Sequence, residues 1–360
     1  MININNLTLK QLILLFAAYS GGEMDKKLIE KFCGNYNYAQ SFCGKLKDLK
    51  LAKTNFMPNP HTLYLTTKAI NLMIEKYPEL KWRFRGRFNH SRELISRRRA
   101  NMSNVLYNMM LAGIPFCDHD NSLYIKPETF NPAILNTTQF YDSFLVKEGT
   151  YEGKDKSKIM GVLVNKCKLY AIYNVSLINE YVQGDLEKKM STYLSTTLNR
   201  VTEERVDDAA CIIYVNDYNM SNEFIKNFEY QEKQKNGKKN IFFSENIGYS
   251  KIYILLNGHA GTIPLKLLLN EKVRMNISTS VRKSEGVIHD LRYGEGITET
   301  GEIFFDCLVP ELWKIRKIKE CNQNMLILCD EHFEKFLKSE GIKNIRFLTI
   351  ESEKVSKLLN

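Results

Sequence analysis

The chain lacks most of what metal, redox or membrane chemistry needs. No apolar run approaches the ~20 residues that span a bilayer, so no membrane partner is expected. The opening residues do not pass from charged to apolar as a secretory leader does, and a cytoplasmic protein is the expectation. Eight cysteines are scattered without a CxxC pair. Cys211 and Cys329 sit inside apolar, strand-like runs and read as buried, reduced thiols. Six dispersed histidines form no zinc pattern and no pair spaced for metal-assisted nicking. The phosphate-cradling GxxxxGK[ST] loop is absent, which argues against ATP-driven work. No cofactor is expected.

What is present is charge, unevenly placed. Lys and Arg number 51 against 41 Asp and Glu, a formal +10. Residues 1–80 carry ten basic and six acidic side chains, and residues 81–99 carry eight and one. The remaining 261 residues come out at −1. A basic end on a neutral body is the electrostatic footprint of a protein that holds a polyanion at one end.

The first eighty residues read as three helices, a hairpin and a fourth helix. Leu9, Leu12, Ile13, Phe16 and Ala17 repeat at helical spacing behind Thr8, a capping residue, and Gly21-Gly22 stops them. A second helix runs from Asp25 to Cys33. Asn35 begins a third, whose stripe is Ala39, Phe42, Leu46 and Leu49 and whose opposite face shows Asn37, Gln40, Ser41 and Lys45. Leu51–Thr54 and Leu63–Thr66 read as short strands around the loop NFMPNPH, and TTKAINLMIEKY closes as a helix. This is the order of a winged helix, in which the third helix enters the major groove and the hairpin rides on the backbone. Gln40, Ser41 and Lys45 would then meet base edges. Lys45, Lys47, Lys50 and Lys53 would meet phosphates.

In KWRFRGRF, Lys81, Arg83, Arg85 and Arg87 alternate with Trp82, Phe84 and Phe88. An extended strand would show every cation on one face and every ring on the other. From Ser91 a helix is expected with Leu94, Ile95, Met102, Val105, Leu106 and Met109 inward, ended by Gly113. Arg97, Arg98 and Arg99 fall within one turn of it, and three adjacent side chains cannot all point inward. Phosphate contacts are therefore assigned to Lys50, Lys53, Arg83, Arg85, Arg87, Arg97, Arg98 and Arg99. The domain reading is 1–80 winged helix, 81–113 basic connector and helix, and 114–360 an α/β domain with a mixed sheet (α+β for the whole chain).

The body alternates strands and helices. FYDSFLV, KIMGVLV and KLYAIYNV read as strands, the last two a hairpin about Asn165-Lys166, followed by a helix near 185–199. Then come the strand Ala210–Val215, a helix capped by Ser221, the solvated loop QEKQKNGKK, the strand Lys251–Leu256, the loop NGHAG and the apolar helix IPLKLLL. The clearest unit is last: strand MLILC, helix EHFEKFLKSEG, strand NIRFLTI.

Catalysis is thinly signalled. His289-Asp290-Leu291-Arg292 has the HxxR spacing of tyrosine recombinases, but Tyr293 is the last tyrosine and leaves no nucleophile well downstream. A metal-dependent nuclease needs an Asp at a strand end and Glu-x-Lys on the next strand, to bind a cation and activate water. Asp142 and Glu148 are the candidate catalytic acids, with Lys166 or Lys168 in the following hairpin. No strand-borne Glu-x-Lys accompanies them, and Glu187-Lys188-Lys189 reads as helix.

Three segments, LTLKQLILLFAAY, KLKDLKLAKTN and LYLTTKAINLM, together with KIYILLNGHAGTIPLKLLL in the body, resemble the replication-relaxation family of plasmids and integrative conjugative elements. The resemblance implies a winged helix joined to a nuclease-like, catalytically degenerate α/β domain. It also implies a DNA-binding role in replication or conjugative transfer of a mobile element. The expectation is a sequence-directed binder of double-stranded DNA at an origin, non-enzymatic, whose body forms a homodimer or recruits replication or relaxosome proteins. The alternatives are a metal-dependent DNA-nicking endonuclease using the body, and a ligand-responsive transcription regulator.

Overall fold

The computed structural model describes residues 7–55, 61–84, 93–115, 138–147, 157–166, 168–175, 182–201, 209–222, 224, 240–241, 248–290 and 295–359. The protein is mixed α/β and folds as two units, residues 1–124 with 141–148, and residues 125–140 with 149–360.

In the first unit α1 (Leu9–Tyr19) opens on a capping box. The Thr8 hydroxyl accepts from the Gln11 N–H, and the Gln11 side chain accepts from the Thr8 N–H. Two donors with no partner inside the helix are satisfied, a contribution of about 1 kcal/mol. A short strand, β1 (Glu23–Asp25), leads into α2 (Lys26–Cys33), capped by Asp25 through the Lys27 N–H at 2.9 Å. Asn35 caps α3 (Tyr36–Asp48) through the Tyr38 N–H at 2.8 Å. The hairpin β2 (Ala52–Asn55) and β3 (Thr62–Leu65) is antiparallel, and β1 pairs with the other side of β3, giving the order β1-β3-β2. Thr66 caps α4 (Thr67–Lys76). Helix, strand, helix, helix, strand, strand is the connectivity of a winged helix. At three residues, β1 is too short to show the alternation by which a strand is read.

Two segments depart from their expected form. Residues Pro78–Phe84 make a 3₁₀ helix, not the extended strand that the alternation of Lys81 to Phe84 suggests. Pro78 fixes its φ and gives up a donor that a first turn does not use, and the Leu80 N–H closes back on the Tyr77 carbonyl at 3.0 Å. A 3₁₀ helix repeats every three residues, so the period of two on which the two-faced reading rests is absent from the backbone here. Arg85, Arg87 and Phe88 lie outside the described residues. FYDSFLV splits as well: β4 (Thr138–Asp142) ends where the Asp142 carboxylate accepts the Phe144 N–H at 2.9 Å, and the short α6 (Ser143–Lys147) begins. Gly21, at φ 86°, leaves room for the Phe144 ring, which would lie 2.9 Å from a Cβ placed there.

The long helix α5 (Glu93–Leu111) is no free connector. Met102, Val105, Leu106 and Met109 are buried as their spacing requires, but so are Asn101, Ser103 and Asn108. Its polar side chains fasten the winged helix. The Asp25 N–H donates to Ser103 Oγ at 3.2 Å, Asn104 Nδ2 donates to Asp25 Oδ2 at 3.2 Å, and Asn55 Nδ2 donates to Ser96 Oγ at 3.2 Å. Gly113, at φ 74°, follows its end.

The second unit holds two larger sheets. The hairpin β5 (Gly161–Asn165) and β6 (Lys168–Val175) turns at Lys166, at φ 47°. The ribbon of β7 (Val182–Gln183) and β9 (Asn240–Ile241) flanks the start of α7 (Gly184–Val201). Strand β8 (Ala210–Val215) runs parallel to β6, and β10 (Ile252–Leu256) runs parallel to β8, completing the order β10-β8-β6-β5-β4. Cys211 to Val215 are all buried, the continuous apolar run of a parallel strand covered on both faces. Ser221 does not cap: the Asp217 carboxylate accepts the Asn219 N–H, and Ser221 sits inside the turn, bonded to the Tyr218 carbonyl.

Helix α8 (His259–Leu269) starts inside NGHAG, so only Asn257 and Gly258 remain as loop. A Cβ on Gly261 would overlap the Leu256 carbonyl oxygen, so this helix rises directly from the strand end. After α9 (Glu271–Ser284), the strands β11 (Gly296–Ile297), β12 (Ile303–Asp306), β13 (Met325–Asp330) and β14 (Ile345–Ile350) form the second sheet in sequence order. β12, β13 and β14 are parallel, linked by α10 (Leu312–Glu320) and α11 (Glu331–Ser339), and α12 (Ser352–Leu359) is the last described element. The loop QEKQKNGKK and the residues Arg292 and Tyr293 lie outside the described residues.

Candidate nucleic-acid interface

Helix α3 turns Ala39, Cys43 and Leu46 into the core. At 100° per residue the opposite line is Asn37, Ser41, Gly44 and, in the last turn, the exposed Asp48. Asn37 and Ser41 are exposed, and a Cβ built on Gly44 would meet nothing within 4 Å, so this face is open. Gln40 stands beside it, half-buried, its Oε1 accepting from Lys26 Nζ at 2.9 Å. That bond fixes which way the amide points and leaves its NH₂ for other acceptors.

Cations border the open face. Lys45 and Lys47 are exposed in the last turn of α3, where they also complement the negative end of the helix dipole. Lys50 is exposed at φ 57°, and Lys53 is exposed on β2. Lys68 Nζ donates to the Leu49 carbonyl at 3.1 Å and closes the end of the helix. Tyr36 and Tyr38, 61% and 46% exposed, stand in the first turn of α3. They were not foreseen: Tyr38 falls off the line of Ala39, Cys43 and Leu46, whereas Tyr36, three residues before Ala39, follows its spacing and is exposed all the same. The first turn of a recognition helix is where base edges are read.

The arginine cluster on α5 is different. Arg97, Arg98 and Arg99 are all half-buried. Arg99 Nη1 lies 3.4 Å from Glu23 Oε2, with the two side chains 17% and 0% exposed. The other Glu23 oxygen accepts the Thr62 hydroxyl. Burial lowers the Arg99 pKa and the Glu23 charge counters that shift, leaving a charged pair that joins α5 to β1 and β3. Arg99, expected on a phosphate, is thus engaged inside the unit. It falls one turn before Met102 and two before Leu106, at the edge of the buried face. The side chain of Arg83 is outside what is described, as are Arg85 and Arg87.

Of the two acids of the nuclease alternative, Asp142 lies among the described residues. Asp142 is buried and caps α6. Lys166 is exposed at the hairpin turn, Lys168 Nζ pairs with Glu271 Oε2 at 2.6 Å, and Glu148 lies outside the described residues. Glu187, in the first turn of α7, is buried and takes three hydrogen bonds: from Ser157 Oγ and the Lys158 N–H, each at 2.7 Å, and from the Tyr173 hydroxyl at 2.5 Å. Tyr249 extends this network to the Tyr173 hydroxyl at 2.7 Å. Burial pushes both phenols and the neighbouring Cys211 thiol well up, so all three stay protonated. A carboxylate saturated by three donors positions the start of a helix. It has little left for a cation.

Among the described residues no group of three His, Cys, Asp or Glu is arranged to hold a metal ion. No described helix is long and apolar enough to cross a membrane. No protein-family model matches the chain, and no curated protein or solved structure matches it significantly.

Proposed function

We propose that the first unit binds double-stranded DNA in a sequence-directed manner, with α3 in the major groove and the β2–β3 hairpin along the backbone. The observation that carries this reading is the open Asn37–Ser41–Gly44 line of α3, bordered by Lys45, Lys47, Lys50 and Lys53. A glycine on the outward side of a helix lets a groove floor approach closely, and short amides and hydroxyls beside it can bond to base edges. The lysines supply the sequence-independent attraction to phosphates. The segments that resemble the replication-relaxation family extend the reading to an origin of replication or transfer on a bacterial mobile element.

Selection from a random duplex library with the full chain tests it. One enriched motif is expected, and Gln40→Ala and Ser41→Ala should relax the preference at one or two positions while leaving general affinity intact. Failure to enrich any motif would refute sequence-directed binding.

A further inference from the structure

The second unit contains a cleft of about 260 Å³ at the N-terminal ends of the parallel strands β6, β8 and β10. Lys168, Lys251, Arg274 and Glu271 line it, with the rings of Tyr170 and Tyr253. Three cations therefore face one carboxylate. Glu271 divides itself between two of them, taking Lys168 at 2.6 Å and leaving Arg274 Nη2 at 3.7 Å, beyond hydrogen-bond length. Arg274 is held loosely in another respect: its Nε is buried with no hydrogen-bond partner among the described residues. Lys251 is exposed at the mouth. The nearby Glu311 is buried, and that burial raises its pKa against the pull of Lys314 and Lys251. The two tyrosine rings lie 6.4 Å apart at 55° and offer a tilted aromatic wall. Burial raises the Tyr253 phenol to about 12 and Tyr170 likewise upward, so both stay neutral donors.

We propose that this cleft binds a small organic phosphate monoester, its phosphate between Lys168, Lys251 and Arg274 and its body against Tyr170 and Tyr253. Charge sets the class. The lining itself holds three cations and one carboxylate, an excess of two that matches a monoester's charge of about −1.5 to −2 near neutral pH, with Glu311 outside the lining beside Lys251. A carboxylate or a backbone phosphodiester, with one charge, leaves a cation uncompensated. Size agrees, because sites for drug-sized ligands run about 300–1,000 Å³ and this one is just smaller. The guanidinium, 3.7 Å from Glu271 and hydrogen-bonded to the Tyr253 hydroxyl, has more donors than these two partners use, and an arginine in that state suits phosphate oxygens. The site is independent of the DNA-binding reading of the first unit.

Calorimetric titration of the full chain with phenyl phosphate, benzoate and inorganic phosphate tests the assignment. Saturable one-to-one binding of phenyl phosphate is expected, tighter than that of either other probe. Arg274→Gln should weaken it by about tenfold or more, the loss that accompanies a hydrogen bond between charged groups. Lys251→Gln changes an exposed side chain and keeps the test meaningful if Arg274→Gln does not fold; it should weaken binding severalfold. No saturable binding, equal binding of benzoate, unchanged affinity in Lys251→Gln, or displacement of phenyl phosphate by an unphosphorylated oligonucleotide would each overturn the proposal.

Discussion

Replacing Arg99 separates two roles that the sequence alone cannot distinguish. A phosphate-binding arginine is lost from the complex with DNA, whereas a structural one is lost from the fold. Arg99 is 17% exposed, and its partner Glu23 is fully buried, with one oxygen facing the guanidinium and the other holding the Thr62 hydroxyl. Arg99→Ala would leave that carboxylate buried without its counter-charge. Removing one member of a buried ion pair costs about 3–5 kcal/mol, and the lower end applies here because Thr62 still serves one oxygen. Glu23→Ala should cost somewhat less, because Arg99 keeps partial access to water. The double variant Glu23→Ala, Arg99→Ala should cost less than the sum of the two single losses, giving a coupling of about 2 kcal/mol in a double-mutant cycle. Urea unfolding of the full chain measures the free energies, and hydrogen exchange at the β1–β3 ladder reads the first unit by itself. Affinity for duplex DNA, measured where each variant is folded, should change less than twofold. An unchanged unfolding midpoint in Arg99→Ala, with weaker DNA binding and a shallower salt slope, would refute the assignment.

Gly44→Leu should leave the fold intact and raise helix stability by up to about 1 kcal/mol, because a Cβ there meets nothing, yet it should weaken duplex binding at least tenfold by holding the groove away. Retained affinity in a folded Gly44→Leu variant would remove α3 from the groove. Glu187→Ala removes the acceptor of the buried Ser157 hydroxyl, the part-buried Lys158 N–H and the Tyr173 hydroxyl, of which Tyr173 keeps Tyr249, and should destabilise the second unit by about 2–3 kcal/mol, read in the same urea experiment; a loss below 1 kcal/mol would mean the network is not structural. Acid should loosen the β12–β14 sheet. Arg346 holds Glu302 below its ordinary value, so the stabilisation is present above about pH 4.3, the unfolded carboxylate value, and is lost as pH falls through the lower folded value. Arg346→Ala should flatten that acid limb in pH-dependent urea melts, and an unaltered limb would contradict it.

Elements with a capping residue and a sustained apolar period could be read from the sequence. Thr8, Asp25 and Asn35 cap the helices they precede, and the final strand–helix–strand unit stands where its pattern put it. Short segments misled: the alternation read over Lys81 to Phe88 begins inside a 3₁₀ helix that ends at Phe84. In Lys81–Phe84 the deciding residue was Pro78, just upstream. In FYDSFLV the Asp-Ser pair carried a helix cap inside an apolar run that otherwise reads as strand. Helix α9 has its own cap, Asn270, and an acidic first residue, Glu271, but its mixed outer face hid the period. The outward face of α3 was legible because a helix with a buried stripe must show its other side. The pairing of Arg99 with Glu23 was not, because the partners are 76 residues apart and only the fold brings them together.

The measurement closest to the central claim is the salt dependence of duplex binding by the full chain. If Lys45, Lys47, Lys50 and Lys53 each neutralise one phosphate, the log–log slope should be about −3.6 or steeper. The double variant Lys50→Ala, Lys53→Ala should make it shallower by about 1.8, equally for every sequence tested. A flat response, or a slope that the double variant leaves unchanged, would contradict duplex binding through this face.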